Sequence, residues 1–146
     1  KKWIMSYVSI WIHAVWGTKN RQPVLRKPIR EQVCRHILEN AAGKGIRVDS
    51  INGHTEHLHC LMKLNVDLSV SKQMQLIKGE SSFWMNKNRI VTGHFEWASE
   101  YFAASVSEGQ LGKVREYINN QEAHHKKITF MDEYNNFLRD FEFGRG

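Results

Sequence analysis

The hydrophobic positions near the start of the chain recur with a period of two. Every second side chain in residues 7–16 is apolar, which is typical of a β-strand with one buried face. The apolar set is Val8, Ile10, Ile12, Ala14 and Trp16. The polar segment GTKNRQP follows and predicts a loop.

Two later segments have helical spacing. The first begins at Pro28, which suits the first turn of a helix, and it ends near Gly43. The second runs from Ser69, and we expect Phe83 and Trp84 within it to belong to the core. The two apolar stripes are Ile29, Val33, Ile37 and Ala41, and Val70, Met74, Ile77 and Trp84.

Three further segments predict strands. Residues 46–53 (IRVDSING) and 57–64 (HLHCLMKL) predict a β-hairpin, with its turn at residues 54–56. Residues 95–106 are rich in aromatic and small residues and predict a fourth strand. The sheet therefore has four strands.

The remaining segments predict helices. Ser107 and Gln110 have the spacing of a capping box, so a helix is predicted over residues 108–127, followed by another over 130–141. The order β-α-β-β-α-β predicts an α+β protein with a ferredoxin-like, four-stranded antiparallel sheet. Two helices cover one face of such a sheet. The later helix, a partner or a ligand must cover the other face.

Composition indicates an ordinary globular protein. With 146 residues, 41% hydrophobic and 25% charged, the chain is expected to form one domain over residues 1–146. We expect residues 1–4 to be a flexible tail and residues 128–146 a C-terminal helical extension. No apolar run approaches the ~20 residues that span a bilayer, and no signal peptide is expected. Cys34 and Cys60 have apolar neighbours, which predicts buried free thiols and fits a reducing cytoplasm.

The charge balance is basic. The chain has 21 Lys and Arg against 15 Asp and Glu, a net charge of +6, which favours a polyanionic partner. The loop after the first strand contains the best candidates for phosphate contacts. The predicted contact residues are Lys19, Asn20 and Arg21 in that loop, and Lys72 and Lys78 in the second helix.

A histidine pair lies on the third strand. His57 and His59 point to one face of the sheet because Leu58 and Cys60 point to the face that the two helices cover. Backbones two residues apart on a strand are separated by ~7 Å, so the two imidazoles can reach one metal ion. The H-x-H pattern is also short and common. Taken alone, it more often marks two solvated histidines on an exposed strand face, and neither side chain is predicted to belong to the core.

A polar seam runs along the helix that follows. Tyr117 and Gln121 are four residues apart, one helical turn, and His124 or His125 extends their row. Val114 and Ile118 supply an apolar stripe beside it. A helix that covers the open face of the sheet would bring this seam to the histidine pair.

These motifs together resemble a known family. The HLH of residues 57–59 and the REYINNQ of residues 115–121 are similar to the HUH single-tyrosine transposases of small bacterial insertion sequences. The resemblance extends to WIHAVWGTKNRQPVL at residues 11–25 and to LSVSKQMQLIKGESSFWM at residues 68–85. H-x-H alone is weak evidence, but these segments in this order are strong evidence.

The resemblance implies an active site and a reaction. It implies that His57 and His59 bind a divalent metal, that Gln121 is a third ligand, and that Tyr117 is the nucleophile. The substrate would be single-stranded DNA with hairpins near the element's ends, cleaved through a 5′-phosphotyrosine intermediate and later rejoined. Oxygen ligands suit Mg²⁺ or Mn²⁺, and imidazole favours Mn²⁺. A nearby cation would also favour the phenolate form of Tyr117.

The resemblance also implies a homodimer whose subunits share their active sites. The tyrosine helix of one subunit would dock on the histidine pair of the other. Gly109 and Gly112, near the start of that helix, would allow it to swing as a unit.

Other side chains near the predicted site receive smaller roles. His13 shares the sheet face of the histidine pair, so its alternatives are a contact with a metal ligand or DNA and a purely structural role. Little consequence is expected from Glu56, and no chemistry from His124 or His125. His54 is expected to be a turn residue. The competing tyrosines, which lack a polar partner one helical turn away, are Tyr7, Tyr101 and Tyr134.

Three alternative functions fit parts of the pattern. A non-catalytic ferredoxin-like module that binds nucleic acid would show exposed aromatic residues on its central strands. A nucleotide hydrolase with a histidine pair would not need Tyr117. A relative that processes chromosomal hairpin repeats would keep the same site.

Overall fold

The computed structural model describes residues 6–141. The predicted flexible tail, residues 1–4, and residues 142–146 of the predicted extension lie outside the described residues. The strands are β1 (Trp11–Gly17), β2 (Arg47–His54), β3 (His57–Lys63) and β4 (Phe102–Val106). The helices are α1 (Lys27–Ala42), α2 (Val70–Lys87), α3 (Leu111–Asn119), α4 (Gln121–His124) and α5 (Phe130–Asp140).

The four strands form one antiparallel sheet in the order β2-β3-β1-β4. This arrangement confirms the predicted ferredoxin-like topology. The two central strands pair with Gly17 opposite His57 and Val15 opposite His59. The histidine pair therefore lies in the middle of the sheet, where neighbouring strands fix its backbone on both sides.

Apolar side chains cover the two faces of the sheet unequally. The larger core lies beneath α1 and α2, where Trp16, Leu58 and Met62 are fully buried. On the opposite face, two smaller clusters flank the histidines. One is Val15, Phe102, Phe130 and Tyr134, and the other is Trp11, Leu61 and Ile118. The helices after β4 thus cover the second face, as the topology requires.

Two predicted strands are too long at their N-terminal ends. β1 begins at Trp11, not at residue 7, because Trp11 already pairs with Lys63 at the end of β3. Val8 and Ile10 remain 46% and 47% exposed. β4 begins at Phe102, not at residue 95. Residues 95–101 form no named strand.

The aromatic residues before β4 explain the second error. Phe95 and Trp97 turn into the core beneath α2, with their rings edge to face at 4.7 Å. The Trp97 indole Nε1 donates to Ser81 Oγ at 2.9 Å. Their apolar spacing therefore reflects loop side chains anchored in the core. The expected core position of Phe83 is also wrong, since this side chain is 65% exposed.

The predicted helix over residues 108–127 is broken. Glu108–Gln110 is a short 3-10 turn, and Ser107 makes no side-chain cap hydrogen bond, so the capping-box prediction is wrong. Asn120, with φ −101° and ψ 21°, separates α3 from α4. Despite this break, Tyr117 and Gln121 still lie one turn apart, so the predicted row of polar side chains remains together.

Both cysteines are buried free thiols, as predicted. Burial raises the pKa of Cys34 to about 12 and raises that of Cys60 as well. The two thiols are therefore inert in the folded state. Within residues 6–141, no helix has the length and apolarity needed to cross a membrane.

Gly53 belongs to the hairpin that carries the histidines, and its position has no room for a side chain. A Cβ atom there would lie 2.0 Å from the carbonyl oxygen of His57 and 2.8 Å from Cα of Leu58. We expect Gly53→Ala to lower the free energy of unfolding by about 1–3 kcal/mol, as measured by urea denaturation. Gly79→Ala is the matched control. Its Cβ meets nothing within 4 Å in the middle of α2, so it should stabilise by up to about 1 kcal/mol. A Gly53→Ala midpoint equal to that of the unsubstituted protein would contradict this assignment.

Candidate active site

The two histidines of β3 are fully buried. His57 and His59 each have 0% exposure, which corrects the expectation that neither side chain belongs to the interior. They are buried because α3, α4 and α5 pack over this face of the sheet. A buried imidazole needs partners for both ring nitrogens, and each of these rings has them.

The Nδ1 atom of each histidine contacts a neighbouring side chain. Nδ1 of His57 lies 3.0 Å from Glu56 Oε1, and Nδ1 of His59 lies 2.8 Å from Nε2 of His13. Such contacts fix ring orientation and tautomer in metal-binding histidines. His13 thus lies on the histidine face, as predicted from its strand position. Glu56, expected to matter little, contacts His57 directly.

The Nε2 atoms converge on polar side chains from the covering helices. Nε2 of His57 lies 3.0 Å from Gln121 Oε1, and Nε2 of His59 lies 3.1 Å from Glu133 Oε1. His125 Nε2 lies 2.9 Å from the same Gln121 oxygen. The structure therefore brings the three predicted metal ligands together and adds two residues that the sequence did not predict as ligands.

Glu133 is at the centre of this cluster. Its side chain is 3% exposed, and its Oε1 lies 3.2 Å from His125 Nε2 and 3.5 Å from His57 Nε2. Burial opposes ionisation. Hydrogen bonds from His125 and His59 outweigh burial, so the pKa of Glu133 falls below its ordinary value. The carboxylate is therefore charged at neutral pH.

Tyr117 reaches the same cluster from α3. Its hydroxyl donates to Glu133 Oε2 and lies 3.2 Å from His124 Nε2. Its ring is edge to face with His59 at 5.5 Å. Burial, followed by the hydrogen bond to Glu133, raises the pKa of Tyr117 above its ordinary value. Without a cation the phenol is therefore protonated, and a bound cation would act in the opposite direction by favouring the phenolate.

The donor set suits a metal ion. Ligand atoms of His57, His59, His125 and Glu133 all lie within 4.8 Å of one another. Burial lowers the pKa of His59 to about 3 and that of His13 to about 4, so both rings are neutral at pH 7. Neutral imidazole and ionised carboxylate are the forms that bind metals. This His-Glu group can therefore hold a divalent ion.

The basic loop contacts the site through an aromatic ring. Phe130 stacks on His57 with ring centroids 4.0 Å apart, and the Arg21 guanidinium lies 4.5 Å from the centroid of Phe130. Asn20 and Arg21 both have positive φ, 57° and 56°. Such strained backbone is common at functional sites. Lys19 in the same loop pairs with Glu96 at 3.3 Å and remains exposed.

The other two predicted DNA contacts lie on α2. Lys72 is exposed. Lys78 Nζ donates to the carbonyl oxygens of Ala98, Ser99 and Glu100 at 2.8–3.3 Å, which fastens α2 to the loop before β4. Burial lowers the pKa of Lys78. Its ammonium group therefore already has three protein acceptors.

Fold and site together define a class of protein: a ferredoxin-like sheet with a buried H-x-H pair beneath a tyrosine-bearing helix. Residues 6–121 match the sequence profile of the family described as transposase IS200 like (Y1_Tnp). The chain belongs to this transposase family, and it is an enzyme of DNA recombination.

Comparison with similar proteins supports membership in this transposase family. The ISDra2 transposase TnpA of Deinococcus radiodurans is 24% identical over 115 residues, covering 75% of this chain and 81% of that protein. A crystal structure of a protein from Deinococcus radiodurans R1, described as a transposase, has a TM-score of 0.64 at 21% identity, covering 83% of this chain and 97% of that one. The REP-associated tyrosine transposase bound to a REP hairpin has a TM-score of 0.61 at 16% identity, covering 88% and 76%. His125 and Glu133 both lie beyond the residues that match the family profile.

Proposed function

We propose that this chain cleaves and rejoins single-stranded DNA, with Tyr117 as the nucleophile and His57, His59 and Gln121 as metal ligands. The observation that carries the proposal is that the Tyr117 hydroxyl and the Nε2 atoms of His57 and His59 all contact the buried Glu133 carboxylate. The Gln121 amide oxygen lies 3.0 Å from Nε2 of His57. Mg²⁺ or Mn²⁺ bound there would offset the charge of the phosphodiester and orient the leaving oxygen.

The protein side chains divide the chemical work. Tyr117 Oη attacks phosphorus, the bond from phosphorus to the 3′ oxygen breaks, and the DNA 5′ phosphate remains on the tyrosine. The phenol must lose its proton, and the acceptors in reach are Glu133 Oε2 and His124 Nε2. The departing 3′ oxygen takes up a proton. Because the phosphotyrosine conserves the bond energy, attack by a 3′ hydroxyl reverses the step without ATP.

The substrate follows from charge and from a relative. The REP-associated tyrosine transposase was captured on a REP hairpin. We propose that this chain also recognises hairpins in single-stranded DNA, with phosphate contacts from Lys19, Asn20, Arg21 and Lys72. A minor contribution is assigned to Lys78, whose ammonium would have to leave its carbonyl partners. We propose that the protein acts on DNA in the cytoplasm, as a single domain and without a membrane partner.

Access to the site requires movement. His57 and His59 are fully buried, whereas Tyr117 and His124 are partly exposed. A phosphate therefore reaches the imidazoles only if part of the segment from α3 to α5 shifts. The open space around Gly109, in the turn before α3, and around Gly112, in its first turn, is compatible with such a shift.

The proposal is tested by covalent capture. A labelled single-stranded hairpin oligonucleotide, incubated with the protein and Mn²⁺, should yield a DNA–protein adduct that survives denaturing electrophoresis. A binding module would retard the DNA only in native gels, and a nucleotide hydrolase would release products without an adduct. Either of those results would refute the proposal.

The site is proposed to be complete within one chain. Tyr117, His59 and Gln121 of the same chain contact one another or share partners, which supports a site built within one chain. This differs from the shared site that the family resemblance implies for a homodimer. Dimerisation itself remains a prediction of that resemblance.

A mixture of two inactive variants distinguishes the two arrangements. We expect His57→Ala and Tyr117→Phe chains with different tags to form no adduct when mixed, because neither chain contains a complete site. Wild-type chains diluted with His57→Ala chains serve as the control and should keep activity in proportion to their amount. Adduct on the His57→Ala chain of the variant mixture would establish sharing between subunits.

A further inference from the structure

We propose that His125 and Glu133 are additional metal ligands, and that Glu133 couples the metal to the nucleophile by using its two carboxylate oxygens for different partners. The inference rests on the proposed function of the same site. Neither residue has a counterpart in the predicted ligand set of His57, His59 and Gln121. Both follow the last residue that matches the family profile.

The first argument is the spacing of the donor atoms. Two ligand atoms that bind one ion at about 2.1 Å and at right angles lie about 3.0 Å apart. Glu133 Oε1 lies 3.1 Å from His59 Nε2, 3.2 Å from His125 Nε2 and 3.5 Å from His57 Nε2. Gln121 Oε1 lies 3.0 and 2.9 Å from the Nε2 atoms of His57 and His125. These separations are those of neighbouring corners in one coordination shell.

The second argument is the orientation of His125. Its Nδ1 lies 2.8 Å from the carbonyl oxygen of Ile128, and a carbonyl can only accept, so Nδ1 carries the proton. Nε2 points to the cluster, where a bound metal ion would replace its proton and take its lone pair. His57 repeats this arrangement, with Nδ1 on the carboxylate of Glu56. A carboxylate or carbonyl on the far nitrogen is the usual support of a metal-binding histidine.

The third argument is the burial of Glu133 and the division of its carboxylate. A carboxylate at 3% exposure needs compensating partners, and every side-chain partner that the described residues give Glu133 belongs to the site. Oε1 faces the imidazoles of His57, His59 and His125. Oε2 accepts from the Tyr117 hydroxyl. One carboxylate thus connects the ligand shell with the nucleophile, and Glu133 is a positioning residue for Tyr117.

Direct metal binding tests the ligand assignment without requiring activity. Titration of Mn²⁺, with free ion followed by electron paramagnetic resonance, should give a Kd for Glu133→Gln that is higher by about tenfold to a hundredfold or more. Asp132→Asn is the matched control on the same helix, and it should bind as the wild type does because Asp132 is exposed. An unchanged Kd for Glu133→Gln would overturn the inference.

Two further measurements do not depend on that variant alone. X-ray absorption of the metal-loaded wild-type protein should show three imidazole ligands, and two would overturn the role of His125. Tyr117→Phe should tighten Mn²⁺ binding at least about twofold, since Glu133 loses a hydrogen bond that withdraws charge from it. In the Glu133→Gln background the same substitution should have no effect, and an equal effect in both backgrounds would refute the coupling.

These outcomes separate the inference from the proposed function. If wild-type protein forms the covalent DNA adduct while Glu133→Gln keeps its Mn²⁺ affinity, the inference fails and the proposed function stands. If wild-type protein binds no Mn²⁺, both fail.

Discussion

Replacing Tyr117 with phenylalanine should stop DNA cleavage while leaving the fold and DNA binding intact. The change removes one oxygen, which is the atom proposed to attack phosphorus, and keeps the ring that packs against His59. We expect cleavage of a labelled hairpin oligonucleotide to fall at least about 10³-fold, because within residues 6–141 Tyr117 supplies the one hydroxyl seen to contact the Glu133 carboxylate. Single-turnover cleavage and native-gel DNA binding are the two measurements.

Tyr134→Phe is the matched control for that substitution. Tyr134 is a buried residue of α5, at 6% exposure, and its ring lies in the Val15 and Phe102 cluster. This variant should keep cleavage within a few-fold of the wild type. Loss of cleavage in Tyr134→Phe with retention in Tyr117→Phe would reverse the assignment of the nucleophile.

Removing either histidine of β3 should abolish both metal binding and cleavage. His57→Ala and His59→Ala each delete an Nε2 atom from the centre of the cluster, and chelation of the wild-type protein with EDTA should have the same effect on activity. Because both rings are fully buried, and His57 stacks on Phe130, we also expect a loss of about 1–3 kcal/mol in unfolding free energy. The Mn²⁺ titration of each variant should be made at a temperature below the midpoint of its thermal unfolding.

A distant histidine controls for the stability loss. His36 stacks on Trp84 at 3.9 Å and lies 2.8 Å from Glu80, on the other side of the sheet. His36→Ala should reduce stability and leave metal binding and cleavage intact. Full cleavage in the presence of chelator, or in His57→Ala, would exclude a metal role for the pair.

The fold could be predicted because each buried face follows a regular period. The alternation in β3 assigned Leu58, Cys60 and Met62 to the helix-covered face and left the histidines on the other, as observed. The errors occurred where apolar side chains belong to irregular backbone. Phe95 and Trp97 anchor a loop, and no sequence period distinguishes a loop anchored by two aromatic rings from a strand.

The site could be predicted only in part. Tyr117 and Gln121 share a helical face within the REYINNQ segment at residues 115–121, so their spacing was informative. The sequence alone could not show that Glu133, and not Asp132, belongs to the site, because adjacent acids at the start of an amphipathic helix ordinarily face solvent. One signal was available. Phe130, Tyr134 and Phe137 form the inward stripe of α5, and Glu133 lies on the same side, where it faces a polar sheet surface.

His125 illustrates the same limit. It follows His124 directly, and the break of the helix at Asn120 decides which ring faces the metal ligands. His125 Nε2 contacts Gln121 and Glu133, whereas His124 contacts the Tyr117 hydroxyl. Only the tertiary structure assigns each of the two rings to its partners.

Mapping the covalent attachment is the most direct test of the proposed mechanism. Wild-type protein would be trapped on a single-stranded hairpin oligonucleotide in Mn²⁺, digested with nuclease and protease, and analysed by mass spectrometry. We expect a residual 5′ nucleotide joined to the peptide that contains Tyr117, and no such modification on peptides that contain Tyr7, Tyr101 or Tyr134. Attachment at another residue, or cleavage without attachment, would contradict the proposed mechanism.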